Sequence, residues 1–172
     1  RAGAILLPVP RRDVRRLDPH PLPAASLTAL EGEGEVGDIA PRGGLALPDR
    51  APDATHQQAT TDNQALLYRL SSGDGNPLHA DPAFAAAGGF PRPILHGLCT
   101  FGFAGRAVLR AFAGNDPARF KSIKARFARH VFPGETIVTD MWADDSGRVL
   151  FQSKVAERDE SVLSNGVVEL NG

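Results

Sequence analysis

The chain has 172 residues, with 19 Lys and Arg against 20 Asp and Glu and a formal net charge of −1, so nothing in its overall charge attracts nucleic acid or an anionic membrane. A single cysteine, Cys99, excludes an internal disulfide framework, and no stretch reaches the ~18 uninterrupted apolar residues of a membrane-spanning helix. One domain with a real core and a cytoplasmic setting are expected, and the opening at Arg1 rather than methionine is what a fragment or processed product would give.

Residues 1–52 are rich in Pro, Gly, Ala and Arg and carry no sustained apolar period; they read as an N-terminal arm or linker without the pattern that builds an ordered core. Within them, Gly32-x-Gly34-x-x-Gly37 formally matches a dinucleotide-binding pattern. Its context argues against that use: Glu31, Glu33 and Glu35 would repel a pyrophosphate, and no strand leads in. No cofactor is expected. Arg11, Arg12, Arg15 and Arg16 form a basic knot that reads as solvated surface.

From residue 53 the pattern turns regular. Ala54–Thr60 suits a strand, and Thr61-x-x-Gln64 has the form of a capping box opening a helix through Leu66, Leu67 and Leu70. Asp81-Pro82 can start a short helix through Phe84 and Ala87, before Gly88-Gly89 and the Pro91/Pro93 pair impose irregular backbone. Gly97–Ala113 is the most apolar segment and predicts a helix of four to five turns, largely buried and ended by Gly114. In 120–132, Ile123, Ala125, Phe127 and Val131 alternate with polar residues, the period of a strand with one buried face. Thr136–Ala143, Arg148–Ala156 and Ser161–Leu170 add three more strands. Asn165-Gly166 marks either a bulge in one strand or a turn between two short ones.

The densest chemistry lies in Asp74-Gly75-Asn76-Pro77-Leu78-His79, a carboxylate, an amide and an imidazole on a tight glycine- and proline-bearing turn. Such a set suits acid/base work on a small substrate. The plainer reading is a polar turn whose side chains satisfy neighbouring backbone groups. A metal is a third reading, since Asp74, Asn76, His79 and Asp81 are all ligand types. Leu78 and His79 stand where a calcium loop of EF-hand type wants a polar ligand and then glycine, and structural zinc usually takes sulfur or several histidines, so no metal is expected. Cys99 reads as core, and Lys121, Lys124, Arg126 and Arg129 as a solvated sheet face or a weak phosphate-facing patch.

Three ordered segments carry a resemblance. Tyr68–His79, Phe90-Pro-Arg-Pro-Ile-Leu-His-Gly-Leu98, and Arg126-Phe127 with Val131-Phe-Pro-Gly-Glu-Thr136 resemble the MaoC-like family of (R)-specific enoyl-CoA hydratases and dehydratases, most closely the catalytic C-terminal repeat of its double form. The resemblance implies, over residues 53–172, an α+β hot-dog fold with an antiparallel sheet wrapped around a long central helix. It implies a hydro-lyase that adds water to a trans-2-enoyl-CoA, with Asp74 and His79 as the acid/base pair, Asn76 orienting the water and the Gly97 backbone N–H as oxyanion donor. Gly75, Pro77, Leu78, His96 and Leu98 are expected to bind substrate, although His96 equally suits a hydrogen-bonded structural role. Dehydration of acyl-carrier-protein or polyketide-type thioesters, and a non-catalytic acyl-CoA-binding unit, are the alternative readings. Because the family builds its site where two hot-dog units meet, a homodimer or pairing with a second unit is expected.

Overall fold

A computed structural model describes residues 46–171. The arginine knot, the glycine pattern and the rest of the expected arm up to residue 45 lie outside the described residues.

Five strands, β1 (Ala54–Ala59), β2 (Phe120–Phe127), β3 (Thr136–Ala143), β4 (Arg148–Val155) and β5 (Glu160–Leu170), form one sheet in the order β1-β3-β4-β5-β2, every neighbouring pair antiparallel. Three α-helices lie between β1 and β2 in the chain: α1 (Gln64–Ser72), α2 (Pro82–Ala87) and α3 (Gly97–Phe112). The sheet packs on α3, the hot-dog arrangement. Ala104, Ala107 and Val108 of α3 meet Met141, Val149, Phe151, Leu163 and Val168, which stand on β3, β4 and β5. A second cluster, around Leu95 and Cys99 at the head of α3, packs against Ala65 of α1, Ile137, Val155 and Val162. The small residues of α3 let the sheet close on the helix: a methyl added at Gly105 would already touch Ile123 and Phe120.

The Asn165-Gly166 ambiguity resolves as a bulge. Between the pairs Leu163↔Ser153 and Gly166↔Phe151, β5 takes one more residue than β4, and the same extra residue shows against β2. Asn165 takes the left-handed conformation that the bulge needs, with φ 51°. The ring of Phe151 lies so close over Gly166 that any Cβ there would stand 2.6 Å from it.

Two local expectations are corrected. Thr61 and Gln64 do not form a capping box: Asn63 is the N-cap of α1, and the Thr61 hydroxyl bonds to Asn63 Oδ1 at 2.9 Å instead of a backbone N–H. The strand predicted over 120–132 stops at Phe127, whose side chain is 44% exposed. Phe127 closes an edge strand beside the start of α3, so its alternation with Ile123 does not place it in this chain's core. Residues 50–53 are already fastened to the sheet. Trp142 Nε1 donates to the Arg50 carbonyl at 3.0 Å, and Asp53 accepts from Ala143 N and pairs with Arg50.

Candidate active site

The turn at 73–81 is built by its own side chains. Gly73 ends α1 in the left-handed conformation, φ 74°, with its N–H on the Arg69 carbonyl. Asp74 Oδ1 then accepts from Asn76 N at 3.0 Å, and Asn76 Oδ1 accepts from Leu78 N at 3.0 Å, which starts a 3-10 turn over Pro77–His79. Arg69 donates to the Gly75 carbonyl at 3.3 Å and holds the turn from outside. These bonds leave Asp74 with one free carboxylate oxygen and Asn76 with only its amide N–H groups to offer. The plain reading of a self-satisfied polar turn thus accounts for part of the cluster. It does not account for His79.

His79 Nδ1 lies 2.9 Å from the Ile94 carbonyl. A carbonyl can only accept, so Nδ1 carries the proton and Nε2 presents a lone pair. The His79 ring stacks on that of His96, centroids 3.7 Å apart at 26°, and the Tyr68 ring lies 4.7 Å from His96 on another side. A carboxylate oxygen of Asp74 and a ring nitrogen from each histidine all lie within 4.8 Å of one another, and Asp74 Oδ2 is 3.8 Å from His96 Nε2.

His96 is 2% exposed, and neither of its ring nitrogens has a hydrogen-bond partner among the described residues. It is not the hydrogen-bonded structural histidine the sequence allowed. Burial is the main reason its imidazolium is disfavoured, with the facing His79 adding to the effect and Asp74 opposing it; its pKa is held down to about 4. The ring is therefore neutral near pH 7.

His96 is also the N-cap of α3, but its side chain caps nothing. The N–H groups of Gly97 and Leu98, which a helix cannot pair internally, have no partner among the described residues. They face outward at the positive end of the helix dipole. Gly97 is the residue that admits Phe127: an added Cβ would stand 3.2 Å from that ring. The backbone entering the helix is fixed by a remote network. Leu95 N donates to the Val131 carbonyl at 2.7 Å, and the loop carrying Val131 is locked where Glu135 accepts from Phe132 N at 2.7 Å and from Arg158 at 2.6 Å. Arg158 also donates to the His130 carbonyl at 2.8 Å. Leu95, Val131, Phe132 and Glu135 fall in segments that the sequence reading singled out, but Arg158 does not, and the reading missed the network because only the fold brings Arg158 and Leu95 to the 130–135 loop.

Of the expected site residues, Asp74, His79 and His96 converge and Gly97 lies next to them. Gly75, Asn76 and Pro77 form the exposed outer side of the turn, and Leu78 is half-buried. Leu98, 48% exposed, belongs to an apolar groove of about 260 Å³ that it lines with Tyr68, Cys99, Gly102, Phe103 and Arg106. Tyr68, Phe103 and Arg106 were not anticipated as lining. The i, i+4 spacing of Leu98, Gly102 and Arg106 was the available signal. Cys99 is core as expected, and burial pushes its thiol up to about 11, which leaves it unreactive.

Comparison with known proteins bears out the family resemblance and the fold. The family model for the MaoC like domain matches residues 45–165, and the chain belongs to that family. It is 58% identical over 119 residues to a probable enoyl-CoA hydratase 2 of Dictyostelium discoideum, a match covering 69% of this chain and 40% of that protein. It is 48% identical over 157 residues to the 3-hydroxyacyl-thioester dehydratase Y of Mycobacterium tuberculosis, covering 86% of this chain and 54% of that protein. The solved structure of a MaoC-like dehydratase from Phytophthora capsici superposes with a TM-score of 0.73 at 47% identity, covering 77% of this chain and 46% of that one. The chain thus spans about half or less of the length of these relatives.

Proposed function

We propose that this chain is a hydro-lyase that reversibly adds water to a trans-2-enoyl-CoA to give the (R)-3-hydroxyacyl-CoA. The observation that carries the reading is the convergence of Asp74 and His79 on the unpaired N-terminus of α3, whose first residue is glycine. Hydration needs a base for water, a proton for the α carbon and a donor for the enolate oxygen. His79 Nε2, its tautomer fixed by the Ile94 carbonyl, takes a proton from water as the oxygen bonds to the β carbon. The electron pair of the double bond moves toward the thioester oxygen, where the Gly97 N–H and the helix dipole stabilise the growing charge. Asp74 shares the water and the proton work, the α carbon is then protonated from the pair, and dehydration runs the same steps in reverse. Asn76, exposed on the outer side of the turn with its carbonyl oxygen engaged by Leu78 N, enters the proposal by shaping the turn that presents His79 and not by holding the water.

Pairing with a second hot-dog unit, most simply another copy, is part of this proposal. Both β1 and β2 are edge strands, and Leu66, Leu67, Leu70, Leu98 and Phe127 are each more than 40% exposed. The groove beside Leu98, at about 260 Å³, is below the roughly 300–1,000 Å³ usual for a ligand pocket. A facing unit would deepen it.

The test is loss of enoyl-thioester absorbance on adding purified protein to a short trans-2-enoyl-CoA, followed by chiral analysis of the product and light scattering for the assembly state. An (R)-3-hydroxyacyl product from a paired species supports the reading. The (S) product or no turnover overturns it, and turnover only of carrier-protein thioesters moves the assignment to the dehydratase alternative, which the name of the Mycobacterium tuberculosis relative supports.

A further inference from the structure

The groups at the head of α3 are also a set of metal donors. Each of Asp74, His79 and His96 offers an atom within 4.8 Å of the other two. His79 arrives with Nδ1–H on a backbone carbonyl, the outer contact that orients a metal-binding imidazole and leaves its other nitrogen basic. His96 is buried with both ring nitrogens unpartnered among the described residues, beside the Asp74 carboxylate at 3.8 Å. Such an orphaned buried group is costly unless something pairs with it.

We propose that Asp74, His79 and His96 bind one divalent transition-metal ion of the zinc class, and that the bound ion inhibits the enzyme by taking the lone pairs that otherwise act on water. The binding half stands on the donor geometry alone. The inhibitory half rests on the hydratase reading.

Two imidazoles and one carboxylate suit zinc, cobalt or nickel, whereas calcium and magnesium take more oxygen ligands. Three protein ligands plus a water is the pattern of an open zinc site. With metal–ligand bonds of about 2.1 Å, neighbouring donors in a tetrahedral site lie about 3.4 Å apart. The Asp74 to His96 separation therefore has to close by about 0.4 Å, and the stacked rings, whose centroids are 3.7 Å apart, have to open to roughly 5 Å so that both nitrogens aim at one ion. The ligand set differs from the one that the turn alone suggests. Asn76 Oδ1 is engaged by Leu78 N and Asp81 Oδ1 by Ala83 N and Phe84 N, and His96, from the head of α3, takes their place.

The experiment titrates the untagged full chain with Co²⁺, followed by visible absorption, and with Zn²⁺, followed by calorimetry. The expected result is one equivalent bound, with the intense bands of low-coordinate cobalt. His96→Ala and Asp74→Asn each weaken binding by at least about tenfold, the loss even an outer-shell change produces, and His56→Ala leaves it unchanged. Asp74→Asn removes a half-exposed charge and keeps the test decisive if His96→Ala does not fold. Absence of binding, or binding that survives both substitutions, overturns the proposal. Turnover of a short enoyl-CoA should fall with the same zinc midpoint and return on chelation. Turnover unaffected by a full equivalent of bound zinc overturns the inhibitory half. Metal binding by a chain that turns over no thioester supports the site and counts against the hydratase reading alone.

Discussion

The sheet behind the middle of α3 and the head of the same helix treat buried polar groups in opposite ways. In the sheet, Thr139 and Ser153 face each other across β3 and β4, fully buried, and their hydroxyls pair at 2.9 Å. At the head of α3, an equally buried imidazole has no partner, and the first two N–H groups of the helix point at nothing among the described residues. Among the described residues, three buried side-chain atoms lack a hydrogen bond: two belong to His96, and the third, Gln58 Oε1, lies on the edge strand β1. The sheet is arranged for stability. The helix head leaves its polar groups unpaired among the described residues, where the proposed function puts a substrate, and the remote Arg158–Glu135 network holds the backbone that presents them.

If the two regions are separable in this way, damage to one should show in stability and damage to the other in turnover. The largest stability effect is expected from Phe151→Ala. That ring is fully buried and covers the glycine of the β5 bulge, so its loss should cost about 3–5 kcal/mol in urea unfolding. A loss well under 1 kcal/mol would show that the bulge packs independently of it.

Acidification should expose the helix head next. The folded chain holds His96 near a pKa of 4 against an ordinary 6.5. Between those values the unfolded chain binds a proton that the folded chain refuses, so stability rises with pH across the window and falls as pH drops from 6.5 toward 4. The slope approaches roughly 1.4 kcal/mol per pH unit at most. His130, whose pKa burial and Arg158 also lower, adds a contribution of the same sign. Urea melts of the native chain and of His96→Gln, which cannot titrate there, should diverge in slope. Parallel pH profiles would mean that His96 is hydrated in solution.

The smallest change is expected from Gly97→Ala. Its new methyl lies 3.2 Å from a half-exposed Phe127 ring that can swing aside, so stability should move by less than about 1 kcal/mol. Turnover should fall by roughly 10- to 100-fold as the displaced ring and the methyl crowd the oxyanion position. Unchanged turnover would remove Gly97 from the site.

Much of this contrast was legible in the sequence because it is local. Glycine and proline punctuation marks the turn at 73–81, and the apolar run after Gly97 marks α3. What was illegible depends on distant contacts. Phe151 decides between bulge and turn at Asn165-Gly166 from across the sheet. Phe127 keeps a strand-like alternation yet lies at an exposed edge, which only topology reveals. The Asn76 side chain could be anticipated at the site, but not that its carbonyl oxygen would be engaged in starting the next turn. Likewise, His96 could be placed near the helix start, but only packing shows that nothing pairs with its ring.

The central claim is that Asp74 and His79 act on water at the head of α3. It is tested most directly by steady-state hydration of a short trans-2-enoyl-CoA with the native chain, Asp74→Asn and His79→Ala, each checked for folding by its unfolding midpoint. Turnover should drop on the order of 10³-fold in each variant while the midpoint moves little. Undiminished turnover in both variants would contradict the account.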